Sequence, residues 1–271
     1  VKLPFKSALL FFAAFTVTLA FAVYQRHTGP TYPVSGESLL AGKAVKYKLV
    51  RSQDVGKPAE IRIEAYDDSV LGTLAFRRYP TADPFTAVEM KREGKFLVAS
   101  MPTQPPAGKL EYQVRLRSGS SELHIPEKPV VIRFKGSVPA IVLVPHIILI
   151  FLGLLFSAKS ALDALTNLDP WRDSFHAFAF LFIGGLVLGP VVQKFAFGAF
   201  WTGWPFGGDW TDNKTAVAVL AWFFALYAMR KNDKMKKWAP LIAFAATLIV
   251  FGIPHSFRGS QLDWSKIPAA Q

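Results

Sequence analysis

Apolar and polar positions alternate in two different ways along this chain. Residues 7–23 and 138–256 are dominated by long apolar runs, whereas 24–137 has the mixed pattern of water-exposed protein. At a rise of about 1.5 Å per residue, seventeen to twenty apolar residues span the roughly 30 Å hydrocarbon core of a bilayer. Residues 7–23 meet that length with little tilt. Four further spans are predicted over 138–156, 175–194, 215–229 and 238–253. The third is short, at fifteen residues, unless it begins near Asp212.

Between these runs the period drops to two. Val45, Tyr47 and Leu49 alternate with Lys46, Lys48 and Val50, and Ile61 and Ile63 with Arg62 and Glu64. Leu74 and Phe76 follow Gly72, and Phe96 and Val98 lead to Met101-Pro102. Leu110, Tyr112, Val114 and Leu116 alternate with Glu111, Gln113, Arg115 and Arg117, and Val130, Ile132 and Phe134 with Val131, Arg133 and Lys135. Side chains two apart on a strand share a face, so this is the pattern of half-buried antiparallel strands. Turn signals fall at Gly56-Lys57-Pro58, Asp67-Asp68, Asp83-Pro84, Glu93-Gly94 and Ser118-Gly119. About seven short strands at such spacing predict a sandwich.

Charge then orients the spans. Arg230, Lys231, Lys234, Lys236 and Lys237 fall within eight residues between the last two spans, which places that loop on the cytoplasmic side. Lys2 and Lys6 fall on the same side, as does the loop 157–174, while the sandwich, the loop 195–214 and the C-terminus lie outside. The net charge of +12 therefore reads as topology; no nucleic-acid module is apparent. The chain has no cysteine, which removes disulfides, thiolate metal sites and Cys nucleophiles. Residues 1–23 read as a transmembrane anchor or, because Ala20-Phe21-Ala22 resembles a cleavage site, as a signal peptide. The remaining organisation reads as a linker over 24–36, an extracytoplasmic sandwich over 37–137, a four-span membrane domain over 138–256 and a tail over 257–271.

Candidate chemistry is sparse. No Walker loop, dinucleotide fingerprint, lipase elbow, kinase signature, HExxH or CxxC is present. The segment 197–214 is the most unusual, with three Trp, three Phe and four Gly. Trp favours the headgroup level, so an interfacial belt is one reading. Four glycines among aromatics also suit a folded loop with close backbone approaches, Thr211 or Asp212 capping the next helix. The topology puts His146, Asp209, Asp212, His255 and Lys194 at the outer end. Two readings stay open there. In one, Lys194 pairs with Asp209 or Asp212, and His146 bonds a backbone carbonyl near Pro145 or Pro190. In the other, His146 and His255 with Asp209 and Asp212 form a polar site for a metal ion, haem or quinone headgroup. At the inner end, Asp163, Asp169, Asp173 and His176 surround Pro170-Trp171-Arg172; Asp169 reads as an N-cap with Pro170 at the first helical position, and a proton-entry site is the alternative.

The stretch 96–116, a strand, a Pro-rich corner and then Tyr112 opening the next strand, resembles fibronectin type III and immunoglobulin-like modules. The resemblance covers 40–135 at most and implies that Tyr112 bonds back to upstream backbone. The segments 29–33, 133–139 and 197–214 resemble those of an uncharacterised family of bacterial membrane proteins, which implies an envelope location and no activity. The expected fold class is therefore an immunoglobulin-like all-β sandwich joined to an all-α membrane bundle of four spans, with one N-terminal anchor or signal segment. The expected function is a non-catalytic accessory, assembly or scaffold subunit of a larger complex of the bacterial inner membrane, such as a respiratory one. Its expected partners are the lipid bilayer and membrane or periplasmic proteins, with no nucleic acid. A haem-, quinone- or metal-binding electron-transfer subunit is the first alternative and a small transporter the second.

Overall fold

The structure is a computed structural model that describes residues 5–65, 67–208, 210–253 and 262–266. The chain divides into two compact units. One comprises the described residues up to Pro30 and those from Val138 to Ile253. The other comprises Thr31–Ser137 and the described part of 261–271.

The first unit is helical. α1 (Phe5–Thr28), α2 (Ala140–Leu165) and α3 (Trp171–Leu181) come first in the chain. A π-helical stretch, Phe182–Leu188, carries α3 on into α4 (Gly189–Phe197), and α5 (Trp210–Lys231) and α6 (Met235–Gly252) complete the unit. Four helices are long and apolar enough to cross a membrane: Phe5–Thr28, Ala140–Leu165, Trp171–Phe197 and Met235–Gly252. The chain is thus a multi-pass membrane protein by length and composition. α5 is not among the four, because Asp212, Asn213 and Lys214 occupy its first turns and Arg230 and Lys231 its last. The second span runs nine residues beyond its expected end at 156. Ser157, Lys159, Ser160 and Asp163, read as loop, are helical and buried. Their polar groups bond within the bundle, which lets the helix continue. The expected inner loop 157–174 therefore shrinks to a short turn over 166–170.

Lipid tails are as apolar as leucine, so helices in a bilayer associate through close packing and internal hydrogen bonds. Trp222 is wholly buried among Leu154, Leu181, Ala218, Ala243 and Phe251. Its indole N–H donates to Thr247 at 3.0 Å, and Thr247 donates to the carbonyl of Ala243 at 2.7 Å. Gly153 lets α2 pack closely on α3: a Cβ there would meet the Leu181 side chain at 2.7 Å.

The second unit holds two five-stranded sheets, more strands than the seven expected. Sheet one runs β1 (Val34–Leu40), β2 (Lys43–Leu49), β4 (Ala59–Glu64), β8 (Phe96–Met101), β7 (Lys91–Glu93). Sheet two runs β3 (Ser52–Asp54), β10 (Ser121–Lys135), β9 (Lys109–Ser118), β5 (Leu71–Arg78), β6 (Thr86–Glu89). All pairings are antiparallel except β3 with β10. Val45, Leu49, Ile61 and Ile63 from one sheet and Leu74, Leu110, Tyr112, Val114, Leu116, Ile132 and Phe134 from the other share one core, a sandwich-type arrangement. The outward residues of β9 are Glu111, Gln113, Arg115 and Arg117, as the alternation predicts, while Lys109 at its start is buried.

β8 is the exception. Phe96 and Val98 set its expected alternation, but the strand lays Leu97, Ala99 and Met101 on the shared core, with Val98 buried as well. Phe96 instead lies under the Arg62 guanidinium and the Lys95 ammonium. The short strands β3, β6 and β7, of three or four residues each, were not legible because they carry too few alternations. Tyr112 is buried, and its hydroxyl donates to the carbonyl of Val50 at 2.8 Å. Val50 lies where the chain leaves β2 in one sheet for β3 in the other, so this bond fastens the crossover. Burial holds the Tyr112 hydroxyl well above the ordinary phenol range. Trp264, from the C-terminal segment, joins this unit: its indole N–H donates to the carbonyl of Tyr79 at 2.9 Å and its ring lies under Arg78.

Candidate functional site

Two polar constellations lie in the helical unit, one near each end of α2. The first centres on the connection between α4 and α5. α4 ends at Gly198, whose φ of 88° suits a residue without a Cβ, and whose N–H reaches the carbonyl of Lys194. The chain then makes a tight turn at Gly203, whose carbonyl accepts the N–H groups of Phe206 and Gly207, both at 2.9 Å. Asp212, in the first turn of α5, is buried and reaches back to this turn. Its carboxylate accepts the backbone N–H of Thr202 at 2.7 Å and of Gly203 at 3.0 Å, and the Gln193 amide at 3.1 Å. Gln193 also bonds the Thr202 hydroxyl at 2.7 Å. Asn213 repeats the device one residue on, accepting the N–H of Trp204 at 2.8 Å and donating to its carbonyl at 3.3 Å.

Asp212 was expected to cap the helix, to pair with Lys194, or to join His146 and His255 in a polar site. It sits inside the helix that begins at Trp210 and binds the backbone of the preceding loop. A carboxylate can hold several N–H donors at once, and charge-assisted bonds of this kind are the strong ones. Lys194 donates to the carbonyl of Gly198 at 2.8 Å and lies over the Phe200 ring. Lys214 is buried and donates to the carbonyl of Ile253 at 2.7 Å, tying α5 to the end of α6. The pinned turn presents two large aromatic side chains outward: Trp204 is 76% exposed and Phe206 83%. Asp209 and His255 lie outside the described residues.

His146 stands in the second turn of α2. Its Nδ1 is 2.8 Å from the carbonyl oxygen of Gly184. Gly184 lies within the π-helical stretch; its carbonyl also accepts the N–H of Gly189, five residues on. Pro190 follows, without an N–H and crowding the turn before it. Such π-turns recur at functional sites. Among the described residues no three His, Asp or Glu side chains converge to hold a metal ion.

The second constellation centres on Lys159, which the sequence reading missed. Its side chain is 2% exposed, and its ammonium lies 2.6 Å from both carboxylate oxygens of Asp163 and 3.1 Å from Asp173 on α3. The Phe11 ring of α1 closes over it. Alongside, Ser160 and Ser174 share a 2.6 Å hydrogen bond. Nδ1 of His176 lies 3.9 Å from Asp173, its ring among those of Phe156, Phe175 and Phe180. The cluster joins α1, α2 and α3 through one buried cation. The signal that could have found it is the i, i+4 spacing of Lys159 and Asp163, the spacing of neighbours on a helix face. Asp169 was expected to be the N-cap. α3 instead opens at Trp171 with Pro170 preceding it, and Asp169 accepts the N–H of Trp171 at 3.3 Å.

No family model matches this chain, and no curated protein matches it.

Proposed function

We propose that this chain is a non-catalytic accessory or scaffold protein of a bacterial-type inner membrane, with an immunoglobulin-like sandwich held outside that membrane for contact with protein partners. The observation that carries this reading is the Trp204–Phe206 turn. Two large aromatic side chains stand exposed while Asp212, Asn213 and Gln193 fix the backbone beneath them. Rigid aromatic anchors surrounded by polar groups are what interface hot spots are made of, because little freedom is lost on contact. The buried cations Lys159 and Lys214 are engaged in joining helices, which suits a structural body. The basic residues between α5 and α6 support an orientation with that turn in the cytoplasm. The test is co-purification from native membranes with Trp204 and Phe206 both replaced by Ala. The expected result is loss of partners that accompany the wild-type protein, with membrane insertion retained. An identical set of accompanying proteins would overturn the reading and leave the two aromatics as an interfacial belt.

His146 supports a second reading, a haem-, quinone- or metal-binding subunit. A carbonyl oxygen can only accept, so Nδ1 of His146 carries the proton and Nε2 is the nitrogen with a lone pair. Ligating histidines are oriented in this way. An absorption spectrum and a metal analysis of the purified protein, wild type and His146→Ala, separate this reading from the first.

A further inference from the structure

We infer that the turn between α5 and α6 is a binding surface for anionic phospholipid headgroups. Residues 230–237 hold five basic side chains and one carboxylate, Asp233. Asp233 is engaged by Lys236 at 3.1 Å. Arg230, Lys231, Lys234 and Lys237 are exposed.

The turn that carries them is built by its own hydrogen bonds. Asn232 donates its N–H to the carbonyl of Ala228 at 3.0 Å, and its side-chain oxygen accepts the N–H of Lys234 at 2.9 Å. Its carbonyl accepts the N–H of Met235 at 2.9 Å. The cations therefore project from a fixed frame.

Their height relative to a bilayer is set by aromatics. Tyr227 is 57% exposed and Trp238 56%, one on each helix flanking the turn. Such rings settle at the headgroup level. Lys231 lies over Tyr227 at 5.7 Å and Lys237 over Trp238 at 5.6 Å. The charges are thus held where lipid phosphates lie.

At the opposite end the basic groups are fewer and dispersed among the described residues: Arg26 and His27 end α1, Lys194 is bonded to the Gly198 carbonyl and Lys214 is buried against Ile253. A headgroup phosphate with its negative charge uncompensated matches the surface; a zwitterionic headgroup carries its own cation. This holds whichever side of the membrane the turn occupies, and it does not depend on the partner reading above.

The test uses the full chain purified in mixed micelles of phosphatidylglycerol and phosphatidylcholine in equal amounts. The ratio of the two lipids retained is read by mass spectrometry. The wild-type protein is expected to enrich phosphatidylglycerol. Each basic side chain near an anionic surface is worth roughly fivefold in affinity, so the triple variant Lys231→Gln, Lys234→Gln, Lys237→Gln should retain the two lipids at the input ratio. A control with Lys46, Lys48 and Lys91 of the sheets changed to Gln should keep the enrichment. Retention at the input ratio by the wild type, or enrichment unchanged in the triple variant, overturns the proposal. If the triple variant does not fold, salt decides. Raising it from about 0.1 M to about 1 M shortens the Debye length from about 10 Å to about 3 Å and should abolish enrichment in the wild type; enrichment that survives overturns the proposal.

Discussion

Nδ1 of His146 and the backbone N–H of Gly189 converge on one carbonyl oxygen, that of Gly184. The imidazole thereby fastens α2 to the point where the third span widens into π-turns. Replacing His146 with Phe removes one of the two donors and keeps an aromatic ring. The expected cost is about 0.5–1.5 kcal/mol, the net worth of one neutral hydrogen bond, read as a modest lowering of the thermal midpoint in detergent. An unchanged midpoint would show that the bond contributes nothing to stability.

Lys159 should be the most sensitive polar position in the bundle. Its change to Met leaves Asp163 and Asp173 facing each other without their cation. Breaking a buried ion pair from one side costs about 3–5 kcal/mol. Removing the charges together, with Lys159→Met, Asp163→Leu and Asp173→Asn, should recover most of that loss. Chemical unfolding of both variants in detergent checks this, and equal instability of the two would argue against an ionic origin.

In the sandwich, Tyr112→Phe deletes the bond to the Val50 carbonyl while keeping the ring. Residues 31–137 expressed alone should unfold cooperatively with a β-type circular dichroism spectrum. Within that fragment the substitution should cost about 0.5–1.5 kcal/mol in urea. A fragment without a cooperative transition would refute independent folding.

Acid should weaken the same unit. Hydrogen bonds from the Lys43 ammonium, and then from the N–H and hydroxyl of Ser69, hold the Asp67 carboxyl well below its usual range. The Arg78 guanidinium does the same for Asp83. Both groups prefer ionisation in the folded state, so the unfolded chain binds more protons in acid. Their contribution is whole above the unfolded carboxyl value, about 4, and is lost as pH falls through the lower folded values. Urea midpoints between neutral pH and pH about 3 should fall, and less steeply in Asp67→Asn.

Topology can be read directly because the chain has no cysteine of its own. Ser120→Cys in the β9–β10 turn and Asn232→Cys in the α5–α6 turn, both exposed positions, should label from opposite faces of the membrane. Labelling of Asn232→Cys from outside intact cells would invert the proposed orientation.

The sequence made these elements legible to different degrees. β9 was plain because its polar and apolar residues alternate without a break from Lys109 to Arg117. β8 misled because Phe96, Leu97, Val98 and Ala99 are all apolar, so composition cannot assign a face; the charges of Arg62 and Lys95 above Phe96 decided it. The end of α2 misled for the opposite reason: Ser157, Lys159, Ser160 and Asp163 look like loop until Asp173 and Ser174, from the next helix, are brought beside them. The role of Asp212 was hidden because its donors are nine and ten residues earlier, across a turn whose path depends on Gly198 and Gly203.

The bond from Trp264 to Tyr79 joins residues 185 positions apart within one unit, with the helices α2 to α6 lying between them in the chain. A chain made from its N-terminus can close the two sheets early, but this seam only after the last helix has been synthesised. Until then the Tyr79 carbonyl and the Arg78 guanidinium lack the indole. The seam is therefore a mark that synthesis has passed α6, and a ribosome stalled anywhere in α2 to α6 would leave Tyr79 and Arg78 without the indole.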